Sequence, residues 1–235
     1  MLAVFKKEMR SYFTSVIGYV FLVLYLTLGG AVFCYTTLFS MSAEVTNFYT
    51  LMLIASGIIL PLLTMKSFSE ERKIKTEQLL LTSPLSITGM VMGKFLAAYV
   101  MFAGCMILNS LYFLLLNAYA IVKFAVLLGN LVAILLVGLV FIAIGLFVSA
   151  LTENQLAAAI GTISIIAVLL LIGVLSALLP TTYWLRYVLD FISVFSRFQG
   201  FTNGYFDIAS LFYYLSVGAI FLYLTVRIYD RRRYN

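Results

Sequence analysis

The chain has 235 residues, of which 64% are hydrophobic and only 10% charged, and its net charge is +6. A water-soluble fold of this length carries about 25% charged residues and could not hide so much apolar surface, so the surrounding solvent is lipid. No histidine occurs, which excludes histidine-based triads, general bases and haem ligation, while Cys34 and Cys105 each stand alone in an apolar run and read as small buried residues.

The first element covers residues 1–14. Leu2, Phe5, Met9 and Tyr12/Phe13 recur at helical spacing, with Lys6, Lys7 and Arg10 on other faces. This pattern predicts an amphipathic helix lying in the plane of the inner membrane interface. The following charge-free run, Ser11 to Ala43, is too long for the apolar core of a signal peptide and no small-residue cleavage site closes it, so it reads as a retained span.

Charged side chains at mid-bilayer cost several kcal/mol, so uncharged stretches of about 20 residues mark the spans. The gaps between charges predict six: 16–39, 48–65 (barely long enough to cross), 90–117, 125–150, 155–179 and 208–228. None alternates polar and apolar residues, so the spans are helices rather than barrel strands. With the N-terminus inside, the cytoplasmic side receives twelve basic residues: Lys6, Lys7, Arg10, Lys66, Arg72, Lys73, Lys75, Lys94, Arg227, Arg231, Arg232 and Arg233. The outside receives three, Lys123, Arg186 and Arg197. That asymmetry places both termini in the cytoplasm. The basic clusters beside apolar runs are accounted for by topology and membrane charge, not by nucleic acid.

Between spans two and three lies the longest cytoplasmic segment, 66–89. Ser69 followed by Glu70, Glu71 and Arg72 predicts a helix start, and Ser83-Pro84 a helix stop. Ile74, Gln78 and Leu81, with Leu79 and Leu80, form an apolar edge on an otherwise charged helix. Such an element reads as a docking surface for a soluble partner. A tight turn, Leu151-Thr152-Glu153-Asn154, joins spans four and five on the same side. The outer segment 180–207 is too long for a turn. Its aromatic stripe of Phe191, Phe195, Phe198, Phe201 and Tyr205 predicts interfacial or re-entrant helix.

Gly89-x-x-x-Gly93-Lys94-Phe95 has one residue too few for a phosphate loop, and Phe95 stands where a magnesium-binding hydroxyl is needed. The glycines are read instead as permitting close helix packing, and Lys94 as capping the inner end of span three. The span interiors are read as free of Asp, Glu, Lys and Arg, which weighs against a self-sufficient ion-coupled carrier. Asn109, Tyr112 and Asn130 are read as interhelical hydrogen bonders ahead of the alternative that they line a path. A membrane-embedded enzyme would need clustered acids near one interface, and the nearest cluster, residues 70–77, is interleaved with bases.

Four stretches, 5–21, 68–86 continuing to Gly93-Lys94, 145–159 and 201–233, resemble the membrane subunit of ABC-2-type exporters, most closely the gliding-motility type of permease. One departure is Lys75, where such permeases commonly carry Gly. The resemblance implies a single all-α transmembrane domain over 1–235, of type V exporter-like architecture, in a bacterial inner membrane. It implies a permease that forms the translocation path with a second, identical or homologous permease, above two copies of a separate ABC ATPase subunit, with an accessory membrane protein as a further possible partner. It implies that the chain itself binds no cofactor and that ATP and Mg belong to the ATPase. The residues implied for ATPase coupling are Glu70, Glu71, Arg72, Lys73, Thr76, Glu77, Leu80, Leu81, Ser83 and Pro84, with a second contact at Thr152, Glu153, Asn154 and Gln155. Phe5, Lys6, Met9, Arg10 and Phe13 fall in the in-plane helix. Spans two and five would line the path. The alternative is a non-transporting anchor or force-transmitting subunit of a larger envelope machine.

Overall fold

A computed structural model describes residues 1–76, 86–120, 123–178, 184–202 and 207–234. Among the described residues every regular element is helical. A backbone in hydrocarbon must satisfy its own hydrogen bonds, and helices do so within one segment. The elements are α1 (Leu2–Thr14), α2 (Val16–Phe33, continued by a π-helical turn over Cys34–Phe39), α3 (Val45–Lys73), α4 (Ile87–Leu116), α5 (Phe124–Leu151), α6 (Gln155–Leu178), α7 (Trp184–Ile192), α8 (Val194–Thr202) and α9 (Ile208–Tyr234). Six of these are long and apolar enough to cross a bilayer: α2 with its π turn, α3, α4, α5, α6 and α9.

α5 is the centre of the bundle. Ala133, Ile134, Val137, Val140, Phe141, Ile142, Ala143 and Ile144 have no exposure, so the helix is covered on all sides. Its closest neighbour is α3, and small residues set the spacing. A Cβ on Gly145 would lie 2.2 Å from Thr64 Oγ1, and one on Gly138 would lie 2.0 Å from Phe102 Cε1 of α4. Ser149 of α5 fastens the same seam: its Oγ accepts from the backbone N–H of Phe68 and Ser69, both at 3.1 Å, and donates to the Met65 carbonyl at 3.1 Å.

Span two departs most from the sequence reading. Instead of a minimal helix over 48–65 and a second helix starting at Ser69, α3 runs unbroken for 29 residues. That is about 43 Å, well beyond an apolar layer of about 30 Å. Ser69 is therefore not an N-cap; its hydroxyl bonds back to the Met65 carbonyl inside the helix. α3 ends at Ile74, and Lys75 takes a left-handed φ of 60°. The apolar edge Leu79–Leu81, with Glu77, Gln78, Ser83 and Pro84, lies outside the described residues.

Two further readings change. Asn130 donates to the Val126 carbonyl of its own helix at 2.8 Å, and Asn109 has no hydrogen-bond partner among the described residues. Interhelical bonds besides those of Ser149 join Tyr25 with Ser56 (2.7 Å) and Tyr49 with Ser110 (2.6 Å); Tyr112 packs its ring on Phe33 at 5.2 Å. The outer aromatic stripe does not share one helix. Ser193 breaks the segment and its Oγ accepts from the Ser196 N–H at 3.0 Å, so Phe198 and Phe201 turn inward on α8 while Phe191 on α7 stays exposed. Tyr205 lies outside the described residues.

Gly138→Ala forces a methyl group onto Phe102 and should destabilise the protein by about 1–3 kcal/mol. Gly104→Ala, with nothing within 4 Å of the new Cβ, should be neutral or slightly stabilising. Thermal unfolding of the two variants in one detergent compares them directly.

Candidate functional site

The strongest concentration of charge is where α1, α3 and α4 meet on the basic face. Lys94 is the eighth residue of α4, two turns into an otherwise apolar helix, and its side chain is only 2% exposed. An ammonium there needs partners from the protein, because an unpaired buried charge costs several kcal/mol. Three are supplied. Lys94 Nζ lies 2.9 Å from Glu71 Oε1 of α3 and 3.1 Å from Glu8 Oε1 of α1, and donates to the Ser67 carbonyl at 2.6 Å. It also sits 4.9 Å from the centre of the Phe68 ring. Lys94 is therefore a buried ion within a span, and not an exposed cap.

Lys7 closes the cluster from the solvent side, 3.2 Å from Glu71 and 3.8 Å from Glu8, so two ammonium groups face two carboxylates. Burial works against the Lys7 charge, but the Glu71 and Glu8 carboxylates outweigh it and raise its pKa above the ordinary lysine value. α1 is brought close enough by Gly89 and Gly93 of α4. A Cβ on Gly93 would stand 3.0 Å from Val4 Cβ, and one on Gly89 3.5 Å from the Met1 nitrogen. The glycine spacing thus serves helix packing, as read from sequence. A cavity of about 290 Å³ opens beside the cluster, bordered by Ser11, Lys66, Glu70 and Thr76.

A second set of contacts ties the end of α3 to the α5–α6 turn. Arg72 donates to the Leu151 carbonyl at 2.9 Å and pairs with Glu153 at 3.0 Å. Arg232, near the end of α9, donates to the Ala150 carbonyl at 2.7 Å, and Tyr229 of α9 packs on Phe68 at 4.8 Å. The first and last helices therefore both end on this face.

The sequence-predicted residues divide accordingly. Glu71 is largely buried in the ion cluster, Glu70 pairs with Lys66 at 3.7 Å, and Lys73 is exposed. Thr76 donates to the Glu71 carbonyl at 3.3 Å. Thr152 donates to the Val148 carbonyl at 3.3 Å, and Asn154 Oδ1 accepts from the Leu156 N–H at 3.0 Å, where Gln155 begins α6. On α1, Val4 and Tyr12 are buried and Phe5 and Met9 pack against the core, whereas Leu2, Phe13, Lys6 and Arg10 face outward. Glu77, Leu80, Leu81, Ser83 and Pro84 lie outside the described residues. The residues that sequence reasoning missed are Lys7, Glu8, Lys94 and Ser149. The available signal was Lys94 itself, an ionisable residue inside a span and hence in need of a counter-ion; Glu8 is the only acid in the first 43 residues.

At the opposite end, α6 to α9 border an open cavity of about 480 Å³ lined by Ser176, Arg186, Asp190, Arg197 and Asp207 among others. Asp190 accepts from Ser176 and from Ser196 at 3.0 Å, and forms an ion pair with Arg186 at 3.6 Å. The Ser176 hydroxyl, followed by Ser196 and the Arg186 charge, holds the Asp190 carboxyl below its usual pKa against a smaller opposing effect of burial. Among the described residues no three of His, Cys, Asp or Glu come together as a metal site would require.

A sequence family described as ABC-2 family transporter protein matches residues 35–228. No curated protein matches the chain.

Lys94→Met leaves Glu8 and Glu71 without their buried partner and should cost about 3–5 kcal/mol; adding Glu8→Gln and Glu71→Gln should recover most of that loss in thermal or denaturant unfolding. The Asp190 contacts should hold α7 at neutral pH. Because the folded carboxyl titrates low, their contribution is complete above the ordinary value of about 3.9 and is lost as pH falls through the lower folded value. Trp184, the single tryptophan and a residue of α7, reports this through its fluorescence, which should stay constant from pH 7 to about 4 and change only below that.

Proposed function

The chain belongs to the ABC-2 transporter family, and from that premise we propose that it is the membrane half of an ATP-driven exporter. In this reading it pairs with a second permease, identical or homologous, above two separate ATPase subunits that bind ATP and Mg. The observation that carries the reading is the Arg72–Glu153 bridge with its companion bond to Leu151. The segment after α3 and the α5–α6 turn are the two places where an ATPase would be expected to press, and this bridge makes them one surface.

The force path follows from the packing. A push on the segment after Lys73 acts on the end of a continuous 29-residue helix, whose near end is pinned to α1 and α4 by the Lys94 cluster. The push is thereby delivered along α3 rather than dissipated in a loop. α3 packs on α6, with Gly57 close to Ile166 and Leu170. Both helices leave apolar side chains exposed: Ile54 and Ile58 on α3, and Leu156, Ile160, Leu171, Leu175 and Leu178 on α6. These surfaces suit the seam with a second permease, where spans two and five would border the path.

The test is a charge swap in the complex reconstituted with its ATPase. Arg72→Glu should lower permease-stimulated ATP hydrolysis by roughly tenfold, the size of a typical coupling energy. Adding Glu153→Arg should restore most of it. The bridge is partly exposed, so it contributes only about 0–1 kcal/mol to stability and the single variant should still insert and fold. Hydrolysis unchanged in Arg72→Glu would remove the bridge from the coupling path.

A further inference from the structure

We infer that the outer cavity among α6, α7, α8 and α9 is a binding site for the headgroup of a zwitterionic phospholipid, with phosphate held by Arg197 and a primary ammonium by Asp207. This does not depend on the exporter reading.

The charges inside the cavity are not equivalent. Asp190 is occupied by Ser176, Ser196 and Arg186. Arg197 is fixed but not used up. Its Nε donates to the Phe191 carbonyl at 3.1 Å, and its guanidinium lies 4.4 Å from the Tyr213 ring centre and 5.0 Å from that of Phe191. Its terminal nitrogens have no hydrogen-bond partner among the described residues, and the side chain lines the cavity. A planar guanidinium held over rings with its outer edge free is suited to a phosphate's paired oxygens. Asp207 lines the same cavity; its carboxylate is oriented by the Ala209 N–H at 3.1 Å and the Ser210 hydroxyl, and it feels the Arg197 charge. The Ser210 bond, followed by smaller contributions from backbone N–H groups and Arg197, lowers its pKa and keeps it ionised. An isolated anion at Arg197 would be repelled by Asp207. A ligand with an anion and a cation a few bonds apart satisfies both.

The cavity's position selects a lipid over a soluble zwitterion. α7 buries no side chain completely. Trp184, Val188 and Ile192 are exposed away from the cavity, while Arg186 and Asp190 line it. Exposed Trp and Tyr on a short helix at the end of a bundle mark the headgroup level of a bilayer. Tyr187 and Phe191 belong both to this exposed surface and to the cavity wall. A headgroup inside would therefore continue directly into a glycerol backbone and acyl chains lying against α7. The volume, about 480 Å³, is within the range of small-molecule sites, about 300–1,000 Å³.

The full chain in nanodiscs of mixed phosphatidylethanolamine, phosphatidylcholine and phosphatidylglycerol, followed by native mass spectrometry of the released protein, tests this. Phosphatidylethanolamine should be retained in preference to both others. Arg197→Gln should weaken that retention about tenfold, the loss of one charge-assisted contact, and Arg197→Lys should restore part of it. Asp207→Asn should abolish the preference for phosphatidylethanolamine over phosphatidylcholine, whose quaternary ammonium offers no N–H. Glycerophosphoethanolamine and inorganic phosphate added to the wild-type protein should not displace the lipid at matched concentration. Equal retention of phosphatidylglycerol, or displacement by inorganic phosphate alone, would overturn the assignment. Should Arg197→Gln fail to fold, the lipid preference of the wild-type protein and its loss in Asp207→Asn decide the question.

Discussion

A lysine ammonium buried near the start of α4, with its side chain only 2% exposed, has to be neutralised by the protein. Lys94 recruits Glu71 from α3 and Glu8 from α1, and those two demands determine where three helices lie. α1 can come close because Gly89 and Gly93 present no side chains to Val4 and Met1. α3 has to remain helical past the apolar layer to carry Glu71 to its partner. The reach of α3 past the apolar layer and the docking of α1 both serve the compensation of one unfavourable burial.

Such clusters are weak sources of stability but strong sources of definition. Four groups of alternating charge within about a hydrogen-bond length gain little over a well-packed apolar substitute, yet any arrangement that separates them exposes a buried charge. The junction therefore behaves as one body or breaks. The end of α3 carries a second fastening, through Arg72 to the α5–α6 turn. In the bilayer interior the same helices are joined differently, by glycine and serine at the α3–α5 seam and by two tyrosine–serine hydrogen bonds. Lipid gives apolar surfaces no reason to associate, so close approach and satisfied polar groups have to do so.

The two ends of the bundle are unlike in character. On the basic face, Lys94 and Lys7 pair with Glu71 and Glu8, and Arg72 with Glu153. The outer end, where Ser193 separates α7 from α8, leaves an open polar cavity walled in part by α7, a helix with no fully buried side chain. The break separates the aromatic residues: one continuous helix over this stretch would place Phe191 and Phe198 on the same side, whereas Phe198 is buried and Phe191 exposed.

The number of spans, their helical nature and the gathering of basic charge at one end were all legible in the residues, because each depends on composition over windows of about 20 residues and lipid enforces it segment by segment. The family membership was legible too, from the charged stretches between the spans. What the linear order could not reveal was which charges would meet. Glu71 looked like an exposed docking acid because acids and bases alternate around it; its partner stands 23 positions away on α4 and the third member 63 positions away on α1. Lys94 looked like an interfacial cap because it lies near a helix end. Its burial was decided by α1 folding over it, a contact between elements that share no sequence neighbourhood. Local chemistry determined the helices. The pairing of ions, which depends on distances between helices, was left to the tertiary structure.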